Sequence, residues 1–214
     1  MDGTLYSSEP LIERVYKESV DLFNQKYGKS FSAPSFSQIE PLIGQPVQKI
    51  YETLFPQITR EEKEALGNIL IRNFELFISN EGGTLFQGVV PLLLSLKEKG
   101  YTLLVASNGK REYLQAIIDK FSLPFAPFVC VEEQGIERKG QILEYYLNSY
   151  NESPDALVMI GDRSSDFDAA RQTGCFFIGC CFGHGPIEEI KDADALVEKV
   201  EDIALIIENT VAVR

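Results

Sequence analysis

Basic residues are scarce in this chain: 20 lysines and arginines stand against 32 acidic residues, a formal net charge of −12. Nucleic-acid affinity comes largely from lysine and arginine neutralising backbone phosphates, so this deficit argues against a nucleic-acid partner. A small anionic ligand needs only a few local cations and stays compatible with it. Metal-binding cysteine spacing is missing too. Cys180 and Cys181 are adjacent, Cys130 and Cys175 lie in apolar runs, and no CxxC pair occurs. They read as reduced, mostly buried thiols of a cytoplasmic protein. Neither a basic segment leading into an apolar leader nor an apolar run of bilayer-spanning length is present, so no membrane partner is expected. Histidine occurs once, as His184 in GCCFGHGP. A lone histidine invites assignment as a general base, but its setting reads first as the rim of a glycine-rich loop. Gly179, Gly183 and Gly185 have the wrong spacing for a dinucleotide fingerprint, which argues against a nicotinamide cofactor.

What is present is enough for one substantial core, or a core plus a smaller satellite: 214 residues, 44% of them hydrophobic. Roughly the first 85 residues read as helices. Ser8 is placed to N-cap a first helix with Pro10 in its opening turn, and Leu11, Ile12, Val15, Tyr16, Phe23 and Tyr27 recur at helical spacing. A Ser/Pro-broken stretch (30–46) separates it from amphipathic helices at about 46–55 and 60–79, and the glycines of NEGGTLFQG (80–88) suggest a hinge. Strands and helices then alternate. Strands are expected at 101–107, 128–132, 156–162 and 175–179, and helices at 89–99, 110–121, 139–150 and 165–173. Short apolar strands between helices predict a parallel sheet covered on both faces, with its ligand-binding loops along one edge.

Three features along that edge could carry chemistry. Ser107-Asn108-Gly109 offers a hydroxyl and backbone N–H groups just before a helix, which suits phosphate; the alternative is a plain N-cap and turn. GDRSSD follows the strongest strand, and Asp162 and Asp166 lie one helical turn apart. Two close carboxylates repel unless a cation or water sits between them, and hard oxygen donors suit Mg²⁺. They can equally cap a helix and complement its dipole, and Asp168 is left to solvent or capping. Lys139 opens a predicted helix, where a cation opposes the dipole, so it makes better sense facing carboxylates or a phosphate. Arg138 is its rival, and a solvated basic pair is the alternative for both.

Taken in order, Asp-Gly-Thr at 2–4, Ser107-Asn108, Lys139 and Asp162…Asp166 resemble the motifs of the haloacid dehalogenase superfamily of phosphohydrolases. FQGVVPLLLSLKEKGYTLLVASNG and GCCFGHGPIEEI are similar to its phosphoglycolate phosphatase-like branch. The resemblance implies a Rossmann-like α/β core (1–6 and 86–214) carrying an inserted α-helical cap (7–85), Mg²⁺ as cofactor and a small phosphorylated metabolite as substrate. It makes Asp2 the general acid/base, whose backbone carbonyl also meets the metal, and Thr4 a support of the same loop. Ser107 and the Asn108 amide become phosphate binders, Lys139 the balancing cation, and Asp162 and Asp166 metal ligands.

The sequence departs from the family pattern in two places. Lys139 is followed by Gly140 where many relatives have proline. The nucleophilic aspartate expected two residues before Asp2, and the central strand leading to it, are not in the sequence. The expectation is therefore a phosphatase read from an N-terminally truncated sequence. The alternatives are a non-catalytic phosphate- and metal-binding relative, or a phosphosugar mutase. If the chain folds as written, a gap is expected between 101–106 and 156–161. Nothing in the sequence fixes the oligomeric state.

Overall fold

The structure, a computed structural model, describes residues 1–131 and 133–212. After a two-residue strand β1 (Tyr6–Ser7) come four helices, α1 (Glu9–Tyr27), α2 (Phe36–Ile39), α3 (Val47–Leu54) and α4 (Arg60–Glu81). Strand β2 (Thr84–Leu85) leads back to α5 (Val89–Glu98), α6 (Arg111–Phe121) and α7 (Lys139–Tyr150). The chain closes with β3 (Val158–Gly161), α8 (Ser164–Thr173), β4 (Phe176–Cys180), β5 (Ala195–Val197) and α9 (Asp202–Ala212).

Local sequence accounts for most helix boundaries. Helix α1 buries Leu11, Ile12, Val15, Tyr16, Val20 and Phe23 at helical spacing and stops at Gly28, whose N–H returns to the Asn24 carbonyl. Ser8 holds the N-cap position but its hydroxyl makes no capping bond, so that part of the expectation is corrected. Thr59 and Glu62 form a reciprocal capping box at the start of α4. The Ser/Pro stretch is less irregular than its composition suggests, since α2 and a 3₁₀ turn (Glu40–Leu42) lie inside it.

The stretch read as a hinge contains one strand of a short paired ribbon. Strands β1 and β2 pair antiparallel, Tyr6 opposite Leu85, so both links between the helical region and the α/β region run side by side. The Tyr6 hydroxyl donates to the Gly82 carbonyl at 3.1 Å and secures the ribbon. Helix α1 packs along α4, and α4 also lies against α6.

Strands β3, β4 and β5 form a parallel sheet in that order, with Val158 opposite Phe176 and Ile178 opposite Ala195. Phe177, Ile178 and Cys180 in the middle strand have no exposed surface. The expected strands at 101–107 and 128–132 are corrected: 101–107 and 128–131 carry no sheet pairing, and residue 132 lies outside the described residues. Their apolar side chains still enter the core, Val105, Phe128, Val129 and Cys130 all being buried. A partner is what they lack. A cavity of about 190 Å³ lies between 101–106 and 156–160, closed by Leu92, Leu96, Ile203 and Ile207. The gap anticipated between those segments is therefore present. Of the thiols, Cys130, Cys175 and Cys180 are buried and all four cysteines are unpaired. No helix among the described residues is long and apolar enough to cross a membrane.

Candidate active site

The first six residues form a tight loop around one carbonyl. The N–H groups of Leu5 and Tyr6 donate to the Met1 oxygen at 2.9 and 3.1 Å, and Gly3 N–H donates to the Tyr6 oxygen. Gly3 adopts φ +70°, and a Cβ there would stand 2.1 Å from an Asp162 carboxylate oxygen. Only glycine lets this loop approach the end of β3 so closely. Thr4 is carried in with it, and its hydroxyl donates to Asp162 Oδ1 at 3.1 Å.

Asp162 follows β3 and is 2% exposed. Its second oxygen, Oδ2, accepts the His184 and Gly185 N–H groups at 3.0 and 3.2 Å. His184 thus serves through its backbone, on the rim expected of that loop, and its Nε2 is buried without a partner. Burial, and then the Asp166 charge, push the Asp162 pKa up; the positive charge of the chain's amino terminus works in the opposite direction. Asp166 caps the helix, the simpler of its two sequence readings, and also meets a cation. Its Oδ2 accepts the N–H groups of Asp162 and Arg163 at the start of α8, while its Oδ1 receives Lys139 Nζ at 2.5 Å. Lys139 is buried and Arg138 is exposed, which decides between the two cations. A Cβ on Gly140 would come within 2.5 Å of Gln172 Oε1, so a larger residue after Lys139 would make the exposed Gln172 side chain on α8 move aside. Asp168 is exposed, as expected.

Ser107 is buried at the end of the extended 101–107 segment, and its Oγ accepts the Gly109 N–H at 3.2 Å. The Asn108 side chain turns away to the helical region, donating to the Gly44 carbonyl at 2.9 Å. Asp2, Ser107, Asn108, Lys139, Asp162 and Asp166 all line one cleft enclosing about 110 Å³.

Sequence reasoning missed two polar anchors of this cleft. Arg163, 4% exposed, ion-pairs with Glu189 and donates to the Ile43 carbonyl at 3.0 Å, with longer bonds to Pro41. It fastens residues 41–43 of the helical region to the end of β3. The Tyr113 hydroxyl donates to Asp2 Oδ1 at 2.6 Å. Burial, and then the adjacent Asp2 charge, hold the Tyr113 pKa well above its ordinary value, so it stays a proton donor. Arg163 was visible inside GDRSSD, but nothing in sequence links it to Pro41 or Glu189. Tyr113 falls one turn into α6 among residues that read as core.

Among the described residues no three acidic, histidine or cysteine side chains converge closely enough to hold an ion alone. Asp162 and Asp166 nevertheless supply hard oxygen donors, two buried carboxylates four residues apart lining one cleft. That suits Mg²⁺, which commonly takes one or two carboxylates and completes its shell with water and substrate phosphate.

The arrangement identifies the class of protein. Residues 1–180 match the family model described as haloacid dehalogenase-like hydrolase, and the chain belongs to that family. Among curated relatives, it is 28% identical over 111 residues to the phosphoglycolate phosphatase of Haemophilus influenzae (strain 86-028NP), a match covering 49% of this chain and 50% of that enzyme. The chain thus spans about half the length of the first curated relatives it matches. A longer match, 26% over 194 residues, joins 89% of this chain to 84% of a 5′-nucleotidase of Pseudomonas aeruginosa. Among solved structures, a predicted phosphoglycolate phosphatase from Haemophilus somnus superposes with TM-score 0.80 at 22% identity, covering 96% of this chain and 94% of that one. That likeness speaks for the fold.

Proposed function

We propose that this chain is a Mg²⁺-dependent hydrolase of small phosphomonoesters, read from a sequence that lacks the strand and aspartate preceding Met1. The observation carrying this reading is the convergence of Asp2, Ser107, Lys139, Asp162 and Asp166, from four separate segments, on one cleft. Asp162 and Asp166 would hold the metal, which when bound neutralises phosphate charge. Ser107 and the Asn108 amide bind phosphate oxygens, and Lys139 balances negative charge from its pairing with Asp166.

The upstream part of the proposal is supported by the cavity beside β3. It is apolar, flanked by two extended segments, and lined at one end by Met1, which also lines the cleft. A strand of about five residues rises roughly 3.3 Å per residue. Such a strand would pair both flanking segments and deliver its last carboxylate to the cleft. In that arrangement the aspartate oxygen attacks phosphorus and the P–O ester bond breaks. Asp2, held by Tyr113, gives its proton to the departing oxygen. Asp2 then takes a proton from water, which attacks the aspartyl-phosphate and releases inorganic phosphate.

The test is release of phosphate from an aryl phosphate with Mg²⁺ or with EDTA, using the chain as written and the chain extended through the upstream codons. Mg²⁺-dependent turnover by the extended chain, lost on Asp162→Ala, is the expected result. An in-frame stop just upstream, with phosphate binding but no turnover, would instead establish the non-catalytic alternative.

A further inference from the structure

Helix α3 turns part of its apolar stripe to the cleft and part to the core. Val47, Ile50, Tyr51 and Leu54 fall on one side of it at helical spacing; all four are half-buried, and Tyr51 and Leu54 pack against the core. Val47, Ile50 and Tyr51 face the cleft, opposite Ile71 and Phe74 of α4 and beside Ile12 of α1. Val47 and Ile50 keep part of their apolar surface open in the cleft, where a bound apolar group would cover it.

The cleft therefore has two unlike ends. Its floor, from the α/β region, holds the carboxylates, Ser107 and the described cations of the lining, Lys110, Lys139 and Arg163. Lys139 is paired with Asp166, and Arg163 with Glu189 and the carbonyls of residues 41 and 43. Lys110, which begins α6, also borders an outer depression with Arg60 and Lys63. The roof, from the helical region, has no charged residue among its described lining. Its polar side chains are Ser8, Gln45, whose amide is engaged by Lys49, and the Tyr16 and Tyr51 phenols.

Resting on the phosphatase reading above, we infer that the group esterified to the phosphate is small, uncharged and largely apolar, and is held against the α3 stripe. A substrate with a carboxylate close to its phosphate is disfavoured. Its second charge would lie against the roof without a partner, losing solvation that nothing there replaces. An apolar group gains instead, by roughly fourfold in affinity for each methylene buried.

Binding tests this without needing turnover. Inorganic phosphate, phenylphosphonate and phosphonoacetate are titrated calorimetrically into the Mg²⁺-loaded chain. Phenylphosphonate is expected to bind at least tenfold more tightly than phosphonoacetate. Ile50→Lys, and independently Ile71→Lys, are expected to lower that ratio at least tenfold; the ratio reads specificity even if overall affinity changes. If phosphate binds but phosphonoacetate equals or outcompetes phenylphosphonate, the inference fails and the phosphate site stands. If none of the three binds, the phosphatase reading fails and takes the inference with it.

Discussion

The two flanks of β3 start from similar sequence and end differently. On one flank, Phe176–Cys180 is an apolar run that became a fully paired central strand. On the other, YTLLVAS at 101–107 is as apolar and as short, yet it lies extended without pairing, across a cavity of about 190 Å³ from β3. The comparison teaches that apolar patterning fixes which segments go inside, while hydrogen-bonded sheet needs a neighbour at strand spacing as well. The same asymmetry runs into the cleft. Asp162, Arg163 and Asp166, on the paired side, are each held by two or more bonds. Asp2, on the open side, has Tyr113 as its one described side-chain anchor.

The largest effect that would sharpen this contrast comes from isomeric truncations on the two flanks. Ile178 is fully buried in β4, so Ile178→Ala is expected to cost roughly 2–5 kcal/mol from lost transfer energy and a new cavity. Leu103 already faces a void and is half-buried; Leu103→Ala is expected to cost about 1 kcal/mol, because fewer contacts remain to lose. Urea unfolding of both variants measures the difference. Equal costs would mean that the open flank is packed in solution as tightly as the paired one.

Much of this molecule was legible before its structure. Helices α1, α3, α4, α6 and α7 fall at or near the ranges their periodicity gave, because an amphipathic stripe with a cap is a local signal. Lys139 was legible for a different reason: a cation at a helix start needs an explanation, and Asp166 is that explanation. Strand pairing at 101–107 was misjudged because pairing is a property of two segments, and apolarity reports only one. The elements after residue 180, β5 and α9, were not assigned. Arg163 and Tyr113 act through partners 26 and 111 positions away, and no spacing rule reaches that far.

Arg163 gives the next largest expected effect, on the paired side. Arg163→Ala removes an ion pair with the partly exposed Glu189 and releases the Ile43 carbonyl, at a cost of about 2 kcal/mol. Arg163→Lys keeps the charge but cannot span Glu189 and residues 41–43 together. Both variants should speed proteolysis of the 41–45 segment. An unchanged cleavage rate would show that the Asn108 bond to Gly44 suffices to hold it.

On the open side the corresponding loss is smaller. Tyr113→Phe deletes the hydroxyl's hydrogen bonds with Asp2 and Ser8 and is expected to cost about 1 kcal/mol in thermal or urea unfolding. The phenyl ring keeps its edge contact with Phe74, with centroids 5.2 Å apart, so packing stays in place and the hydroxyl's bonds are read. A cost near that of Arg163→Ala would erase the distinction between a firmly anchored and a lightly anchored side of the cleft.

The smallest expected effect has the opposite sign. Burial first and the Asp166 charge second raise the Asp162 pKa, so the folded chain holds that proton more readily than the unfolded one. This contribution to stability is fully present below the unfolded carboxylate value, about 3.9, and is lost as pH rises through the raised folded value. Asparagine carries no such penalty. Its oxygen can still accept the His184 and Gly185 N–H groups while its amide donates to the Thr4 hydroxyl. In EDTA, Asp162→Asn should therefore melt higher than the parent at pH 7, and the gain should shrink toward pH 4. A variant that melts lower by the same margin at both pH values would show that the bonds to the ionised carboxylate outweigh its burial. The paired flank would then be stabilised by the charge it encloses.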